Sequence, residues 1–394
     1  MASPVNTSVK HFHSGMLGAP VLSGTAGSLL NVLDACLRDG FGLITATSLV
    51  VAAGVATLSF TGSHAATVDS VVLVGGADIA ALNGEQKVTA VGSGFVKFAT
   101  AVLPATASGT ITCKMAAAGW LSPFTDTNLR TYKSADPAST GMILRVNDTD
   151  TRMARVVGYE QMTDINTGTG AFPTDAQIAG GGYWSKSYVA NAAAAPWVLV
   201  ADGRKFILHI NSYFPENASY LQGNTRGFGD DISQRPSGDP YACSLNYSRE
   251  NSVGQQTDGS LDGQFAFANN AMPRSYTGLG GAGVTDCPPY MGAVRGGSGA
   301  DETFGAFPSQ VDGGMRLSKK FFPWGGYIRS ELPGLYHVPM SGLFNYYRTR
   351  DILAGEGALA GRKLIAFNPA AASYSPTHAS NTGVSWVDIT GPWR

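Results

Sequence analysis

The chain has 394 residues, enough for two domains, and 27 Lys and Arg residues nearly balance its 28 Asp and Glu residues. Charged residues make up only 14% of the sequence, well below the roughly 25% of ordinary soluble domains. This composition argues against a basic face for nucleic acid or acidic lipid and favours a surface that neighbouring subunits largely cover. Glycine is nearly twice as frequent, with 50 residues, as its usual share of about 7%, which indicates many turns and short strands.

Targeting and redox signals are weak. Mean hydropathy is +0.01, and no run of 18 apolar residues occurs, so we expect no membrane-spanning helix. The opening residues, "MASPVNTSVKHFHSGM", lack the apolar segment of a secretory signal, so no N-terminal export signal is expected. The four cysteines are widely spaced and form no C-x-x-C motif, which predicts four reduced thiols rather than a zinc site or a disulfide framework. They are Cys36, Cys113, Cys243 and Cys287.

The first distinctive stretch is "GTAGSLLNVLDACLRDGFG", residues 24–42. Its glycines suggest a phosphate-binding loop, but it has no lysine, the spacing is wrong and no strand precedes it. Its apolar residues instead recur at the spacing of one helical face, with Ser23 or Thr25 as the expected N-cap and "DGFG" as the glycine stop. The sequence therefore predicts a packing or docking helix. The apolar stripe of this helix comprises Leu29, Val32, Leu33, Cys36 and Leu37.

The distribution of aromatic residues predicts two domains, 1–119 and 120–394, because all 15 Tyr and all 6 Trp lie at or after Trp120. The first domain contains β-branched runs separated by turn residues, with an Asn83-Gly84 hairpin signal between two of them. We predict the helix and a small immunoglobulin-like β-sandwich. The runs span residues 48–62, 68–76, 86–100 and 108–115.

The second domain is predicted to be a larger β-sandwich-like domain with long loops, which makes the whole chain mainly β. Hairpins are expected at 142–162 and 197–213, and two closing strands lie within 356–367 and 383–394. Loops as long as those between them are usually functional or covered by a partner. The loop-like tracts are 166–184, 214–244 and 275–314.

Motifs for catalysis are lacking. The nucleophile motif G-x-S-x-G does not occur, and a glycosidase carboxylate pair cannot be recognised from spacing alone. His11 and His13 are expected on a surface or packed strand, and His209, which alternates with apolar neighbours, is expected to be structural. We therefore predict no enzyme activity and no cofactor.

Two acidic groups raise the question of metal binding. Asp148 and Asp150 lie in "NDTDT", where the remaining calcium-loop ligands are missing, so a hairpin turn is favoured. Asp230, Asp231 and Asp239 gather near Arg226 and Arg235. Two interpretations of this second group stay open, namely a metal or sugar site and a loop that pairs its own charges.

Aromatic residues beside Lys or Arg are the remaining functional signal in the second domain. Tyr and Trp rings stack on sugars and anchor protein interfaces. We therefore predict that some of these rings form an interface or a glycan groove. The candidates are Tyr183, Trp184, Trp324, Tyr327, Tyr346 and Tyr347.

Four segments together resemble a family of structural proteins of tailed bacteriophages. They are "VKHFHSGMLGAPVLSGTAGSLLNVLDACLRDGFG", "LNGEQKVTAV", "GYEQMTDINTGTGAFPT" and "VDITGPWR". The resemblance extends from about Val9 to Arg394, and its most specific parts are the opening helix block and the C-terminal motif. It implies a non-enzymatic virion component at the tail tip, baseplate or fibre attachment, assembled in the bacterial cytoplasm.

The resemblance also implies partners. These would be other virion proteins and further copies of the chain, with the N-terminal domain docking to them and the aromatic domain projecting. Host surface polysaccharide or a receptor is a further candidate partner of the projecting domain. No nucleic acid or membrane insertion is expected. Three alternatives stay open: a host receptor or glycan-binding tail protein, a capsid decoration or head-fibre protein, and a polysaccharide depolymerase.

Overall fold

The computed structural model confirms a mainly β protein rich in sandwich-like packing. It describes residues 4–213, 223–249, 251, 260–261, 269–285, 308–309, 311–315, 317–338, 343, 346–368 and 384–394. Within these residues the chain forms 31 strands, one α-helix that continues into a π-helical segment, and short 3-10 turns at Ala80–Leu82 and Gly357–Leu359.

Most strands are short, in agreement with the high glycine content. The first ten are β1 (Lys10–His13), β2 (Leu22–Ser23), β3 (Phe41–Thr45), β4 (Ser48–Ala52), β5 (Val55–Ser59), β6 (Val71–Gly75), β7 (Gly84–Gly92), β8 (Phe95–Ala99), β9 (Ala105–Ala107) and β10 (Thr112–Met115). The next nine are β11 (Trp120–Leu121), β12 (Thr125–Asp126), β13 (Leu129–Ser134), β14 (Ile143–Asn147), β15 (Met153–Tyr159), β16 (Gln161–Met162), β17 (Gly168–Thr169), β18 (Gly182–Ser185) and β19 (Ala194–Ala195). The last twelve are β20 (Trp197–Ala201), β21 (Lys205–Ile210), β22 (Asn224–Asp230), β23 (Ile232–Ser233), β24 (Cys243–Asn246), β25 (Asn270–Met272), β26 (Gly283–Thr285), β27 (Ser318–Trp324), β28 (Tyr327–Val338), β29 (Ile352–Ala354), β30 (Lys363–Phe367) and β31 (Val384–Asp388).

The small sandwich occupies residues 41–115 and is built from one strongly bent sheet of eight strands. Their order is β3-β10-β6-β7-β8-β5-β4-β9. Strand β7 pairs with β6 through its first half and with β8 through its second half, and the register shifts between Val88 and Ala90. A bulge of this kind bends a strand, so the two halves share β7. Their inward side chains meet in one buried hydrophobic cluster, among them Leu49, Leu58, Val74, Val96 and Phe98.

The predicted helix is present as α1 (Ser28–Leu33) and a π-helical continuation, Asp34–Asp39. It ends at Gly40, whose φ of +73° is the left-handed geometry expected of a glycine stop. The predicted capping by Ser23 or Thr25 is wrong, because these two hydroxyls bond to each other at 2.9 Å. The helix instead receives a distant carboxylate, described below.

The helical stripe is fully buried inside this chain, which settles the choice between packing and docking for these side chains. All five belong to the same hydrophobic cluster as the sandwich core, and none has exposed surface for a second protein. The docking role assigned to them is therefore incorrect. The residues concerned are Leu29, Val32, Leu33, Cys36 and Leu37, each 0% exposed.

The beginning of the chain makes contacts across the predicted boundary at residue 119. Strand β1 pairs with β20 as an edge of the seven-stranded sheet β1-β20-β21-β22-β24-β25-β26. The hydroxyl of Tyr132 donates to Asp34 Oδ1 at 2.9 Å, on the helix. Residues 10–39 therefore contact the second region directly, and one buried hydrophobic cluster contains side chains of the sandwich, the helix and the second region.

The second region contains two further six-stranded sheets besides the seven-stranded one. The first has the order β11-β13-β14-β15-β18 with β12 on β13, and the second has β23-β28-β31-β30-β29 with β27 on β28. The predicted hairpins are confirmed as β14–β15 and β20–β21. The predicted final strands are also present as β30 and β31.

The predicted loop tract 214–244 is wrong at 224–230 and 232–233, which form strands β22 and β23. All seven residues of β22, "NTRGFGD", are buried. Its polar side chains find partners inside the protein: Arg226 donates to Asn246 Oδ1 at 3.1 Å, and Asp230 accepts from the backbone N–H of Thr140 at 2.9 Å. Because these partners are distant in sequence, the strand reads as a polar loop.

Candidate interaction surface

A buried ion pair ties the opening helix to two hairpins of the second region. Lys186 Nζ lies 2.5 Å from Asp148 Oδ1, and both side chains are 0% exposed. Asp148 Oδ2 accepts from the backbone N–H of Leu29 at 2.8 Å, which gives the helix its N-terminal carboxylate. Lys186 also donates to the carbonyls of Thr25 and Asp150. Asp148 is therefore a structural residue of a hairpin turn, as the turn prediction required.

The glycines of the opening stretch serve backbone geometry. A Cβ on Gly24 would lie 1.8 Å from the carbonyl oxygen of Val189, and Gly27, at the N-cap, has φ +78°. This segment packs closely against the backbone around Val189, and β2 just before it pairs with β19. Its glycine content follows from close packing rather than from binding a phosphate.

The two most specific parts of the phage resemblance contact each other in the fold. Val9, Ile389 and Trp393 belong to one buried hydrophobic cluster, and a Cβ on Gly391 would lie 2.7 Å from Val9 Cγ2. The last residue is also fixed, because Arg394 donates to Asp202 Oδ2 at 2.6 Å. The opening block and "VDITGPWR" therefore form one structural unit.

The acidic group at 230–239 is dispersed among separate partners. Asp231 pairs with Lys205 at 2.5 Å and Asp239 pairs with Arg329 at 2.8 Å, and all four side chains are buried. Asp230 is held by Thr140, as described above. The charges are paired inside the protein as one of the two interpretations expected, although Lys205 and Arg329 replace the expected Arg226 and Arg235. Within the described ranges, no group of three or more His, Cys, Asp or Glu side chains is placed to hold a metal.

Four of the six predicted aromatic residues are engaged within the chain. Trp184 is fully buried and donates its indole N–H to the carbonyl of Asn246 at 2.7 Å, so its assignment to an interface or glycan groove is incorrect. Arg155 lies 3.9 Å from the ring centroid of Tyr183, and Arg329 lies 4.6 Å from that of Trp324.

The other aromatic candidates do not form one groove. Tyr347 packs edge-on against Trp386 with ring centroids 5.1 Å apart. Tyr327 lies in the β27–β28 hairpin opposite Trp324 and is exposed, as is Tyr346. Exposed rings are thus present, but the described residues do not bring the six together.

His11, His13 and the described cysteines lie where the sequence predicted them, on a packed strand or as free thiols. His11 and His13 lie on the packed strand β1. Burial, helped by nearby Lys87, lowers the pKa of His11 to about 3, and burial together with Arg350 lowers the pKa of His13 to about 4. Cys36, Cys113 and Cys243 are free and buried, and Cys287 lies outside the described residues.

The candidate surface comprises the two open edges of the sandwich, which we define as strand β3 with Leu43 and strand β9 with the preceding Leu103. Each is the last strand at its end of the eight-stranded order, so no strand of the described chain pairs with its outer side. Leu43 is 69% exposed and Leu103 is 81% exposed. An exposed apolar edge is a template for pairing with another chain.

Around the β3 edge, the outward face of the sheet is mixed in character. The register places Ile44, Cys113 and Val74 inward in one row, so Leu43 and Leu73 point outward on the same face. Lys114 lies opposite Leu73. Around the β9 edge, Val50 and Val55 are also exposed. Each edge therefore carries aliphatic side chains of the kind that association would remove from water.

No protein-family model matches this sequence, and a comparison with curated protein sequences found no match. The described part of the chain contains no helix with the length and apolar character of a membrane span. The sandwich strands were predictable from the sequence but their edge positions were not, because the alternation of a strand's residues does not encode its position within a sheet. The local signal was a leucine next to glycine or proline, at 42–43 and 103–104.

Proposed function

We propose that this chain is a non-enzymatic structural component of a tailed bacteriophage virion, located at the tail tip, baseplate or fibre attachment. The observation that carries the proposal is the pair of open edges on one sandwich. A protomer with two different open edges can join a neighbour at each side, and repetition of this contact closes a ring when the rotation allows it. The resemblance of the opening block and the C-terminal motif to phage structural proteins supplies the virion context.

The edges also explain the composition. Assembly through paired strands and aliphatic side chains covers surface that a free protein would keep charged for solubility. The low charged fraction and the leucines at β3 and β9 then have one cause. Partners in this proposal are further copies of the chain and other virion proteins, and the mechanism is burial of the edges at their interfaces.

The first test measures assembly of the full-length chain by light scattering after size-exclusion chromatography. We expect the unmodified protein to form oligomers, and we expect L43K and L103K each to shift it toward monomers by placing a charge at a buried contact. L279K is the matched control, since Leu279 is 74% exposed but lies between β25 and β26, outside the eight-stranded sheet. A monomeric unmodified protein, or equal effects of all three variants, would contradict the edge mechanism.

The second test locates the chain on virions whose genome encodes it, by immunogold electron microscopy. Label at the tail tip or baseplate is the expected result. Label on the head would instead support a decoration or head-fibre protein, and absence of label from particles would refute a virion role.

A further inference from the structure

A small cleft of about 240 Å³ lies where the segment after β1 meets the β20–β21 hairpin and residues 349–350. It is separate from the open edges of the sandwich. Its walls combine an indole, a proline and several polar side chains. The lining residues are Ser14, Gly15, Pro196, Trp197, Val198, His209, Asn211, Thr349 and Arg350.

Asn211 provides the strongest indication that the cleft is built for a ligand. The side chain lines the cleft and is 1% exposed, yet neither Nδ2 nor Oδ1 has a hydrogen-bond partner. Buried amides nearly always have hydrogen-bond partners, and a buried donor and acceptor without partners destabilise the folded protein. A bound molecule that accepts from Nδ2 and donates to Oδ1 would remove this cost.

Arg350 provides a positive charge at the mouth of the same cleft. The residue is exposed, and in the described part of the chain its guanidinium has neither a hydrogen bond nor a carboxylate within salt-bridge distance. Its backbone has φ +86°, a conformation that non-glycine residues uncommonly adopt. A Cβ on Gly15 would lie 2.9 Å from its Nη1, so the missing side chain at Gly15 leaves room for the guanidinium.

The other polar groups around the cleft are neutral or occupied. His13 Nδ1 accepts from the backbone N–H of Gly15 at 3.1 Å. The imidazole of His209 is fixed by Thr225 Oγ1 at 2.9 Å and stacks on Phe367. The nearby carboxylate of Asp351 accepts from the backbone N–H of Arg348. Among the described residues that line the cleft, Arg350 is the one with a permanent charge.

We infer that this cleft binds a monosaccharide-sized carboxylate, that is, a uronic-acid type of sugar. Arg350 would form a two-pronged ion pair with the carboxylate, and Asn211 would bond to ring hydroxyls, which donate and accept at once. Trp197 and Pro196 supply the apolar wall. The cleft is just below the roughly 300–1,000 Å³ of pockets for drug-sized ligands, which fits one sugar unit better than an oligosaccharide.

This inference goes beyond the proposed structural role and does not depend on it. A virion component at any position, or a protein outside a virion, would have the same cleft. Different variants test assembly through the sandwich edges and binding in the cleft, so failure of the assembly proposal is distinguishable from failure of the binding inference.

The test uses calorimetric titration of the full-length chain with D-glucuronate, D-glucose and acetate. We expect saturable binding of glucuronate and at least tenfold weaker binding of glucose and acetate. R350Q, at an exposed position, and N211S should each weaken glucuronate binding at least tenfold. R152Q is the control, since Arg152 is exposed on the 148–152 turn, and it should bind as the unmodified protein does.

Several results would overturn the inference. No saturable binding of glucuronate would do so, as would unchanged binding in R350Q. Equal affinity for glucose would show that the carboxylate is not recognised, and equal affinity for acetate would show that the sugar ring is not recognised. If N211S is less stable by thermal unfolding, R350Q alone decides the role of the cleft.

Discussion

Lys186 and Asp148 form an ion pair of 2.5 Å between side chains that are both completely buried. The pair connects the turn after β14 to the segment after β18, and Asp148 also accepts from the helix backbone. A buried charge that loses its partner is costly, typically about 3–5 kcal/mol. We therefore expect K186M to lower the free energy of unfolding by about this amount, measured by urea denaturation.

The control for this prediction is K363M. Lys363 pairs with Asp69 at 2.8 Å, but its side chain is 47% exposed, and exposed pairs contribute only about 0–1 kcal/mol. Equal losses in K186M and K363M would show that burial of the first pair does not control its contribution.

Gly24 is predicted to be intolerant of any side chain. The Cβ of alanine would lie 1.8 Å from the backbone carbonyl oxygen of Val189 and 2.9 Å from the backbone nitrogen of Asn191. Overpacking of this kind typically costs about 1–3 kcal/mol, so G24A should lower the thermal midpoint. G62A is the matched control, because a Cβ on Gly62 meets nothing within 4 Å, and it should leave the midpoint unchanged.

The stability of the fold should fall as the pH is lowered below about 6.5. The pKa of His11 is lowered to about 3 and that of His13 to about 4, both below the ordinary value near 6.5. Below pH 6.5 the unfolded chain therefore binds more protons at these two histidines than the folded chain does. The resulting loss of stability continues down to about pH 4 for His13 and about pH 3 for His11. Its slope is at most about 1.4 kcal/mol per pH unit for each histidine.

The measurement is the free energy of unfolding from urea titrations at pH 7, 6 and 5. H11Q removes one of the two groups and should reduce the slope of stability against pH. A slope as steep in H11Q as in the unmodified protein would mean that His11 does not contribute to it.

The backbone conformation of Arg350 is expected to lower the stability of the folded protein. Its φ of +86° is strained for a non-glycine residue by about 1–2 kcal/mol, whereas glycine adopts it freely. After the extra chain entropy of glycine, about 0.5–1 kcal/mol, R350G should be as stable as the unmodified protein or up to about 1.5 kcal/mol more stable. R348G, which changes a neighbouring arginine without positive φ, should instead lose about 0.5–1 kcal/mol. A loss in R350G larger than that in R348G, by urea denaturation, would contradict the strain argument.

Local patterning predicted the elements that are determined within a few residues. The stripe from Leu29 to Leu37 predicted a buried helical face, because apolar residues at the helical period need a core to pack against. Alternation and turn residues predicted the hairpins at 142–162 and 197–213 for the same kind of reason. Gly40 was recognisable as the helix stop from its position alone.

Partners that are distant in sequence could not be predicted in this way. The carboxylate at the helix N-terminus comes from Asp148, 119 residues beyond Leu29, while the adjacent Ser23 and Thr25 bond to each other. Strand β22 was predicted as a loop, since its polar side chains look exposed until Arg226 and Asp230 are seen with their partners. Strand β1 likewise joins β20 and not the sandwich that follows it.

The sequence by itself thus determined the mainly β class, the buried helical stripe and several hairpins, because each depends on the period of neighbouring side chains. The tertiary structure alone decided which strands lie at the open edges of the sandwich, and which residues surround the cleft at Asn211 and Arg350. These features depend on contacts between segments far apart along the chain. The residues that pair with a buried polar group or cover a strand edge are not linked by any local sequence pattern.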